Sequence, residues 1–172
     1  GLQTIHEDTA VFIRRGYPLS VFTQAVYALA ERNIPVVVHI ILGLPGESRE
    51  TVLRTIDYLN RLPIQGVKLQ LLHVLSDSDL ADLYRAGEYT PLEKEEYLTL
   101  VGDCIAHLRA DIVLHRLTGD GDKNTLLAPL WSLRKRDVLN HLHRYLRENH
   151  IRQGMSCKID LSVIYNKPKD VL

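Results

Sequence analysis

The stretch VVVHIILGLPGES, residues 36–48, constrains the fold of this chain more than any other segment. Its nearly continuous apolar, β-branched run is typical of a parallel strand that is covered on both faces. Gly43 and Gly46 then bracket a Leu-Pro pair and permit a tight turn, and Ser48 suits the N-cap of a helix. A strand, a turn and a helix in this order predict a βα unit of an α/β protein.

The rest of the chain alternates between helical and extended patterns. An apolar stripe predicts a helix over 20–33, and the segments GVKLQLLHVL and DIVLHRL predict two further strands. Thr90, Pro91 and Glu93 predict the N-cap, a first-turn proline and a capping-box acid of another helix. TGDGDKNTLLAP predicts a polar loop, and SLRKRDVLNHLHRYLRENH predicts a last long helix. The connections are long enough for crossovers, which predicts right-handed βαβ units and a parallel sheet.

The opening residues predict that this sheet is part of something larger. The chain begins on GLQT, without a methionine, as if on the last residues of a strand. With this stub there are four predicted strands, and an open sheet of that size would leave one face poorly covered. We therefore expect half of a larger barrel or wound sheet, with further residues before Gly1.

Composition limits the class of protein. The chain has 172 residues, 45% hydrophobic and 24% charged, which is typical of one globular domain. Its 21 basic and 21 acidic residues balance, so the global charge indicates no nucleic-acid partner. No apolar run approaches the roughly 20 residues that span a bilayer, and a basic segment followed by an apolar signal-peptide core is absent. We expect a cytoplasmic protein that does not contact a membrane.

Several side chains fall near the carboxyl ends of predicted strands, where parallel sheets bind their ligands. The Gly43 turn either binds a ligand or only satisfies backbone geometry, and the sequence alone favours geometry. His39, His73 and His115 lie on strands or at their ends, where histidine binds metals or transfers protons, although a single one usually only hydrogen-bonds locally. The strands carry no carboxylate to complete a metal triad. His39 lies four residues before Gly43 and therefore faces the same side.

The last helix is rich in basic and aromatic residues. Such a surface can contact phosphates and stack on bases, although a solvated helix face is the usual explanation of a charge run. Its basic residues are Arg134, Lys135, Arg136, Arg144 and Arg147. The two cysteines, Cys104 and Cys157, are too far apart for a disulfide framework or a metal finger.

Several motifs, in the right order, resemble the radical S-adenosylmethionine (radical SAM) family. GLQT, IRRG and VVVHIILGLPGES are similar to the second half of the barrel in the elongator catalytic subunit and in oxygen-independent coproporphyrinogen oxidase. VKLQLLHVLSDSDLADLYRAGEYTPLEKEEYLTLV and VLHRLTGDGDKNTLLAPLWSLRK resemble the small bacterial radical SAM proteins of the YtqA/YhcC type. This resemblance implies the C-terminal half of a partial (βα)6 barrel over 1–116, with parallel strands and crossover helices. A family-specific loop and helix over 117–154 and a flexible tail over 155–172 would follow.

The resemblance also implies the cofactors and their contacts. In this family a [4Fe-4S] cluster, reduced by a donor such as flavodoxin or ferredoxin, cleaves SAM to a 5′-deoxyadenosyl radical that abstracts a substrate hydrogen. By likeness to the family, Gln3 and Arg15 contact SAM, and His39 and Ile40 lie beside its ribose and adenine. Coproporphyrinogen oxidase has an aspartate where this chain has His39. Gly43 would shape the pocket rim, and the substrate side would hold His73, His115 and Asp120.

One part of the family pattern is absent from this sequence. The Cys-x3-Cys-x2-Cys cluster motif does not occur, so its ligands are expected before Gly1 and this chain alone is expected to be inactive and to hold no metal. The YtqA type further implies wobble-uridine modification in tRNA, from carboxymethylaminomethyl to aminomethyl, with Arg134, Lys135 and Arg136 on the RNA. A phosphate-binding α/β-barrel enzyme and a non-catalytic interaction domain stay open as alternatives.

Overall fold

The structure is a computed structural model that describes residues 1–159. Six helices, five strands and one 3₁₀ turn alternate along this part of the chain. In chain order they are α1 (Glu7–Phe12), α2 (Leu19–Ala30), β1 (Val37–Leu42), α3 (Arg49–Leu59), β2 (Gly66–Leu71), β3 (Val74–Leu75), α4 (Asp79–Arg85), α5 (Lys94–His107), β4 (Val113–Arg116), β5 (Leu126–Ala128), the 3₁₀ turn (Leu130–Leu133) and α6 (Lys135–Glu148). Most of the tail expected over 155–172 lies outside the described residues.

A three-stranded parallel sheet organises the chain, in the order β1-β2-β4. Helix α3 connects β1 to β2, and the connection from β2 to β4 contains α4 and α5. The opening stub adds one parallel bridge, between Gln3 and Ile40, in which the amide of Gln3 donates to the carbonyl of His39 at 2.9 Å. The predicted α/β class, with parallel strands and crossover helices, is therefore confirmed.

One face of this sheet forms the main core. The alternating side chains of β1 and β2 that point to this face are at most 5% exposed, and they pack with apolar residues of α3, α5 and α6. Strict alternation is what a strand of period two dictates once one of its faces is buried. Ser48 caps α3 as predicted, because its side-chain oxygen accepts a hydrogen bond from the amide of Thr51. The helices thus fix which face of the sheet remains open.

The segment predicted as one strand, GVKLQLLHVL, is two strands. β2 ends at Leu71, and Val74 and Leu75 pair antiparallel with β5 instead. β5 lies inside the segment that was predicted to be a polar loop, so that prediction is wrong over Leu126–Ala128. Val74 and Ala128 are buried with Ala81 and Tyr89 in a small second apolar cluster. This cluster explains why apolar residues continue past the end of the parallel sheet.

The predicted start of α5 is also wrong. The helix begins at Lys94 with Glu93 as its N-cap, and not at Thr90. Glu93 accepts a hydrogen bond from the amide of Glu96, whose own carboxylate accepts from the amide of Glu93 at 3.0 Å. This reciprocal capping box satisfies two amides that the helix leaves free, so the boundary moves three residues toward the C-terminus. Within residues 1–159, no helix has the length and apolar character needed to cross a membrane.

Candidate functional site

The face of the sheet that points away from the helices is polar. Neighbouring strands place His39 of β1 beside Lys68 of β2, and Lys68 beside Arg116 of β4. One step further along the strands, Ile41 lies beside Gln70. We call the face formed by these five residues the inner face. All five are only partly buried, whereas the alternate positions on β1 and β2 are fully buried.

A polar and accessible inner face differs from the interior of a closed (βα)8 barrel. There, layers of branched apolar side chains fill the space inside the strands. Here the side chains of Lys68 and Gln70 form no hydrogen bond or ion pair with any part of the chain that the structure describes. Side chains that are half-buried and unpaired on a rigid sheet leave room and bonding capacity for a ligand.

His39 lies where burial and positive charge act together. Burial lowers its pKa below 6.5, and the cations of Lys68 and Arg116 lower it further. His39 is therefore neutral at pH 7 and can donate or accept a hydrogen bond through the imidazole. Gln3 comes close to it: a Cβ added to Gly1 would lie 2.7 Å from Nε2 of Gln3 and 3.4 Å from Cβ of His39. The structure thus brings two of the predicted SAM contacts together at the inner face.

The turn after β1 has the geometry that its glycines suggested. Gly43 and Gly46 have φ angles of +87° and +77°, in the left-handed region that favours glycine. The hydroxyl of Tyr89 donates to the carbonyl of Gly43 at 2.8 Å, and a Cβ on Gly43 would lie 3.2 Å from the side chain of Leu92. The turn is therefore held from outside by the segment between α4 and α5.

Arg15 and Ile40 occupy less open positions. The side chain of Arg15 is 2% exposed, and its guanidinium donates to the carbonyls of Thr4 and Tyr17 and to the carboxylate of Glu7. Ile40 is 1% exposed and points into the core, on the opposite side of β1 from His39. Arg15 thus stabilises the segment after Gln3. Ile40 takes part at the edge of the sheet only through its backbone, which forms the bridge with Gln3. The predicted SAM contacts of both residues stay predictions.

His73 lies just past the end of β2, beneath the loop that follows β4. Its Nε2 is buried and has no hydrogen-bond partner in the described part of the chain. Cβ atoms added to Gly119 and Gly121 would come within 3.1 Å of the His73 ring, so only glycines permit this loop to cover it. Burial lowers the pKa of His73, and the charge of Asp120 opposes that shift. Together with Leu44 of the turn, His73 lines a cavity of about 700 Å³.

Asp120 connects the sheet to the basic end of α6. Its carboxylate accepts a hydrogen bond from Lys135 at 2.6 Å and lies 3.4 Å from the guanidinium of Arg116. The hydrogen bond from Lys135 lowers the pKa of Asp120. Arg134 and Arg136, on either side of Lys135, are exposed. The predicted substrate-side residue and the predicted RNA-binding residues are therefore neighbours.

His115 lies at the opposite end of the sheet from His73. It is the extra residue in the irregular pairing of β2 with β4, and its ring packs over Gly66. Because of that irregularity, Arg116 and not His115 pairs with Lys68. The structure thus separates the two histidines that the sequence had assigned together to the substrate side.

No cluster site is found in the described part of the chain. Residues 1–159 contain no group of three or more histidine, cysteine, aspartate or glutamate side chains that could hold a metal ion. Cys104 is fully buried in the core on α5, and burial raises the pKa of its thiol. Iron–sulfur clusters are held by several cysteine thiolates, so the buried thiol of Cys104 and its surroundings do not fit a [4Fe-4S] cluster.

Comparison with known proteins identifies the family. A model described as the radical SAM superfamily matches residues 1–59, and one described as the radical SAM C-terminal domain matches 64–148. The chain is 34% identical to YtqA of Bacillus subtilis over 154 residues, covering 90% of this chain and 48% of YtqA. It is 32% identical to YhcC of Escherichia coli over 151 residues, covering 88% and 49%.

Two further likenesses are more distant. A tRNA uridine(34) acetyltransferase of Methanocaldococcus jannaschii is 25% identical over 104 residues, which cover 59% of this chain and 19% of that protein. The solved structure of archaeal Methanocaldococcus infernus Elp3, with residues 1–46 deleted, superposes with a TM-score of 0.76 at 18% identity. The superposition covers 89% of this chain and 36% of that one, and it shows a shared fold.

The polar inner face, the glycine turn at the strand ends and these matches together define the class of protein. The chain belongs to the radical SAM superfamily. It resembles the YtqA and YhcC proteins in particular, and it spans about half the length of these curated relatives. The resemblance predicted from the sequence is confirmed.

Proposed function

We propose that this chain supplies the SAM-binding sheet of a radical SAM enzyme that modifies the wobble uridine of tRNA. The observation that carries the proposal is the arrangement of Arg116, Asp120 and Lys135. It joins the inner face, where the cofactor would lie, to the basic end of α6, where RNA would lie. Family membership favours this function over a phosphate-binding barrel enzyme and over a non-catalytic interaction domain.

The inner face fits SAM in its chemistry. Neutral His39 and the amide of Gln3 offer hydrogen bonds to ribose hydroxyls, and the Gly43 turn lets the ligand approach the backbone closely. Bound SAM supplies hydrogen-abstraction chemistry in this superfamily. The described residues hold and orient the cofactor in this proposal. The cluster, and a donor such as flavodoxin or ferredoxin, are proposed for the whole protein.

The tRNA part of the proposal rests on charge and on a relative. Arg134 and Arg136 are exposed, and Lys135 is neutralised only in part by Asp120, which it shares with Arg116. Cations on an exposed helix end can contact phosphates while a base reaches the strand ends. The acetyltransferase of M. jannaschii is named for uridine 34 of tRNA. We propose the wobble position for this chain too, with carboxymethylaminomethyluridine processed to aminomethyluridine.

Binding of tRNA by this chain tests the RNA surface. We expect the variant Arg134→Gln/Lys135→Gln/Arg136→Gln to bind tRNA less tightly than wild type. The slope of its log Kd against log salt concentration should also be smaller, by about 0.7–0.9 for each phosphate that is no longer neutralised. The control variant is Arg32→Gln/Arg54→Gln/Arg61→Gln, which removes the same charge from exposed positions at the ends of α2 and α3 and within α3. Filter binding over a salt series measures both quantities. Equal slopes for the two triple variants would refute the proposed surface.

The modification itself is tested on RNA. Nucleoside mass spectrometry of tRNA from cells with and without the gene compares carboxymethylaminomethyluridine with aminomethyluridine. We expect the carboxymethylaminomethyl form to accumulate in the deletion strain and to fall again when the gene is restored. An unchanged ratio would refute this reaction while leaving SAM binding by the inner face intact.

A further inference from the structure

We propose that the inner face holds a compact anionic group, a phosphate or a carboxylate, between Lys68 and Arg116. This group is distinct from the sulfonium and the ammonium of SAM, which are cations. The inference does not depend on tRNA being the substrate. It follows from the charges on the three strands, from the unpaired state of Lys68 and from the register of the sheet.

The charges on the inner face are of one sign. Strands β1, β2 and β4 contain Lys68 and Arg116 but no aspartate or glutamate. Asp120, which contacts Arg116, is already shared between Arg116 and Lys135. The sulfonium and ammonium of SAM are cations, so when SAM is bound to the inner face these two groups would lie away from Lys68 and Arg116. An anion is the group that these two side chains attract.

Lys68 lacks a counter-charge although it is partly buried. Its side chain forms no hydrogen bond or ion pair within residues 1–159, and its neighbours on the two adjoining strands are His39 and Arg116. An anion placed between two neighbouring cations is attracted by both of them. Within the described residues, the side chain of Lys68 is therefore available to bind an anion.

The register allows both cations to reach one group. Adjacent strands lie about 4.8 Å apart, and paired residues on them point to the same face. Lys68 and Arg116 are such a pair. The guanidinium of Arg116 offers several parallel donors and Lys68 offers a point charge, a combination that suits a phosphate or a carboxylate. His39, on the other side of Lys68, can donate a further hydrogen bond.

Titration of the chain with two anions tests this inference. Inorganic pyrophosphate and malonate represent the phosphate and carboxylate sources, and calorimetry is done at physiological ionic strength, where charges are screened beyond about 8 Å. We expect Lys68→Gln to weaken binding at least about tenfold, which is about 1.4 kcal/mol. Lys68→Arg keeps the charge and most of the binding. Lys158→Gln, the matched control, removes an exposed lysine after α6 and leaves binding unchanged.

A second measurement reports from the site itself. Burial is the largest cause of the lowered pKa of His39, and the charges of Lys68, the amino terminus of Gly1 and Arg116 add to it. An anion bound beside Lys68 should therefore raise the pKa of His39, and NMR titration of the His39 ring detects the change. Lys68→Gln should raise the pKa of His39 without any ligand and remove the response to anions. This readout works in the unmodified chain, so it decides the matter even if Lys68→Gln folds poorly.

Each outcome has a clear meaning. Pyrophosphate carries more negative charge than malonate, so tighter binding of malonate assigns the site to a carboxylate-bearing ligand, whereas tighter binding of pyrophosphate supports an anion site for either kind of group. Neither anion saturating the chain would overturn the inference. Binding that Lys68→Gln leaves intact, or that does not change the His39 pKa, would place the anion elsewhere, for example on α6, and would overturn it as well.

Discussion

Replacing Gly43 by alanine should destabilise the chain through two separable effects. Its φ of +87° costs an alanine about 1–2 kcal/mol, because the Cβ crowds the following carbonyl. The new Cβ would also lie 3.2 Å from the side chain of Leu92, which has to move by a few tenths of an ångström. Overpacking costs about 1–3 kcal/mol, and the lower end applies because Leu92 is only partly buried. We expect a total loss of about 2–3 kcal/mol in unfolding free energy for Gly43→Ala.

Gly46→Ala is the matched control for this prediction. Gly46 has a φ of +77°, but an added Cβ would meet nothing within 4 Å. It should therefore cost only the backbone part, about 1–2 kcal/mol. Equilibrium urea unfolding of both variants and of wild type gives the free energies. The double variant Gly43→Ala/Leu92→Ala should show a favourable coupling of about 1 kcal/mol relative to the two single variants.

Equal losses for the two glycine variants would refute the reasoning. That result would mean that the side chain of Leu92 moves without a loss of stability and that the segment after α4 does not hold the turn. A neutral Gly43→Ala would refute the backbone argument as well. Since the same turn forms the rim of the proposed cofactor site, the comparison also separates the backbone requirement from the packing requirement before any ligand is added.

Three further outcomes follow from the contacts around the site. Tyr89→Phe removes the hydrogen bond to the Gly43 carbonyl and should lower the unfolding free energy by about 1 kcal/mol in urea titrations, and wild-type stability would contradict this contact. Glu93→Ala removes the N-cap of α5 and should cost about 1 kcal/mol, whereas Thr90→Ala should cost little; the reverse order in thermal unfolding would restore Thr90 as the cap. Burial lowers the pKa of His73 below 6.5, so the unfolded chain binds a proton first as the pH falls, and stability decreases from about pH 6.5 down to the folded pKa. His73→Gln should flatten this decrease in urea unfolding over a pH series, and an unchanged slope would show that another group causes it.

The sequence predicted elements best where one local signal determined them. The apolar run before Gly43 predicted β1, and Ser48 predicted the start of α3, because both signals lie in neighbouring residues. The prediction that β1 is covered on both faces is wrong for the described residues, since its residues alternate between buried and partly exposed. The start of α5 was less certain. Two acids three residues apart formed the capping box, and they outweighed the Thr-Pro pair before them.

The site depended on information that a single strand does not contain. Alternation from His115 would place Arg116 on the opposite face, yet the irregular pairing of β2 with β4 sets Arg116 beside Lys68. Lys68 was not predicted as a site residue, because the environment of a lysine in a strand depends on its neighbours across the sheet, which the sequence of one strand does not show. The antiparallel pairing of β3 with β5 was also missed, because strands of two and three residues carry no periodic signal.

Binding of SAM to this chain, followed residue by residue by NMR, tests the central claim most directly. The account predicts that the largest signal changes occur at Gln3, His39 and Gly43, with the buried helix face of the sheet unaffected. Changes confined to the cavity that His73 and Leu44 line, or to α6, would contradict the assignment of the inner face as the cofactor site. The absence of any change at saturating SAM would contradict it as well.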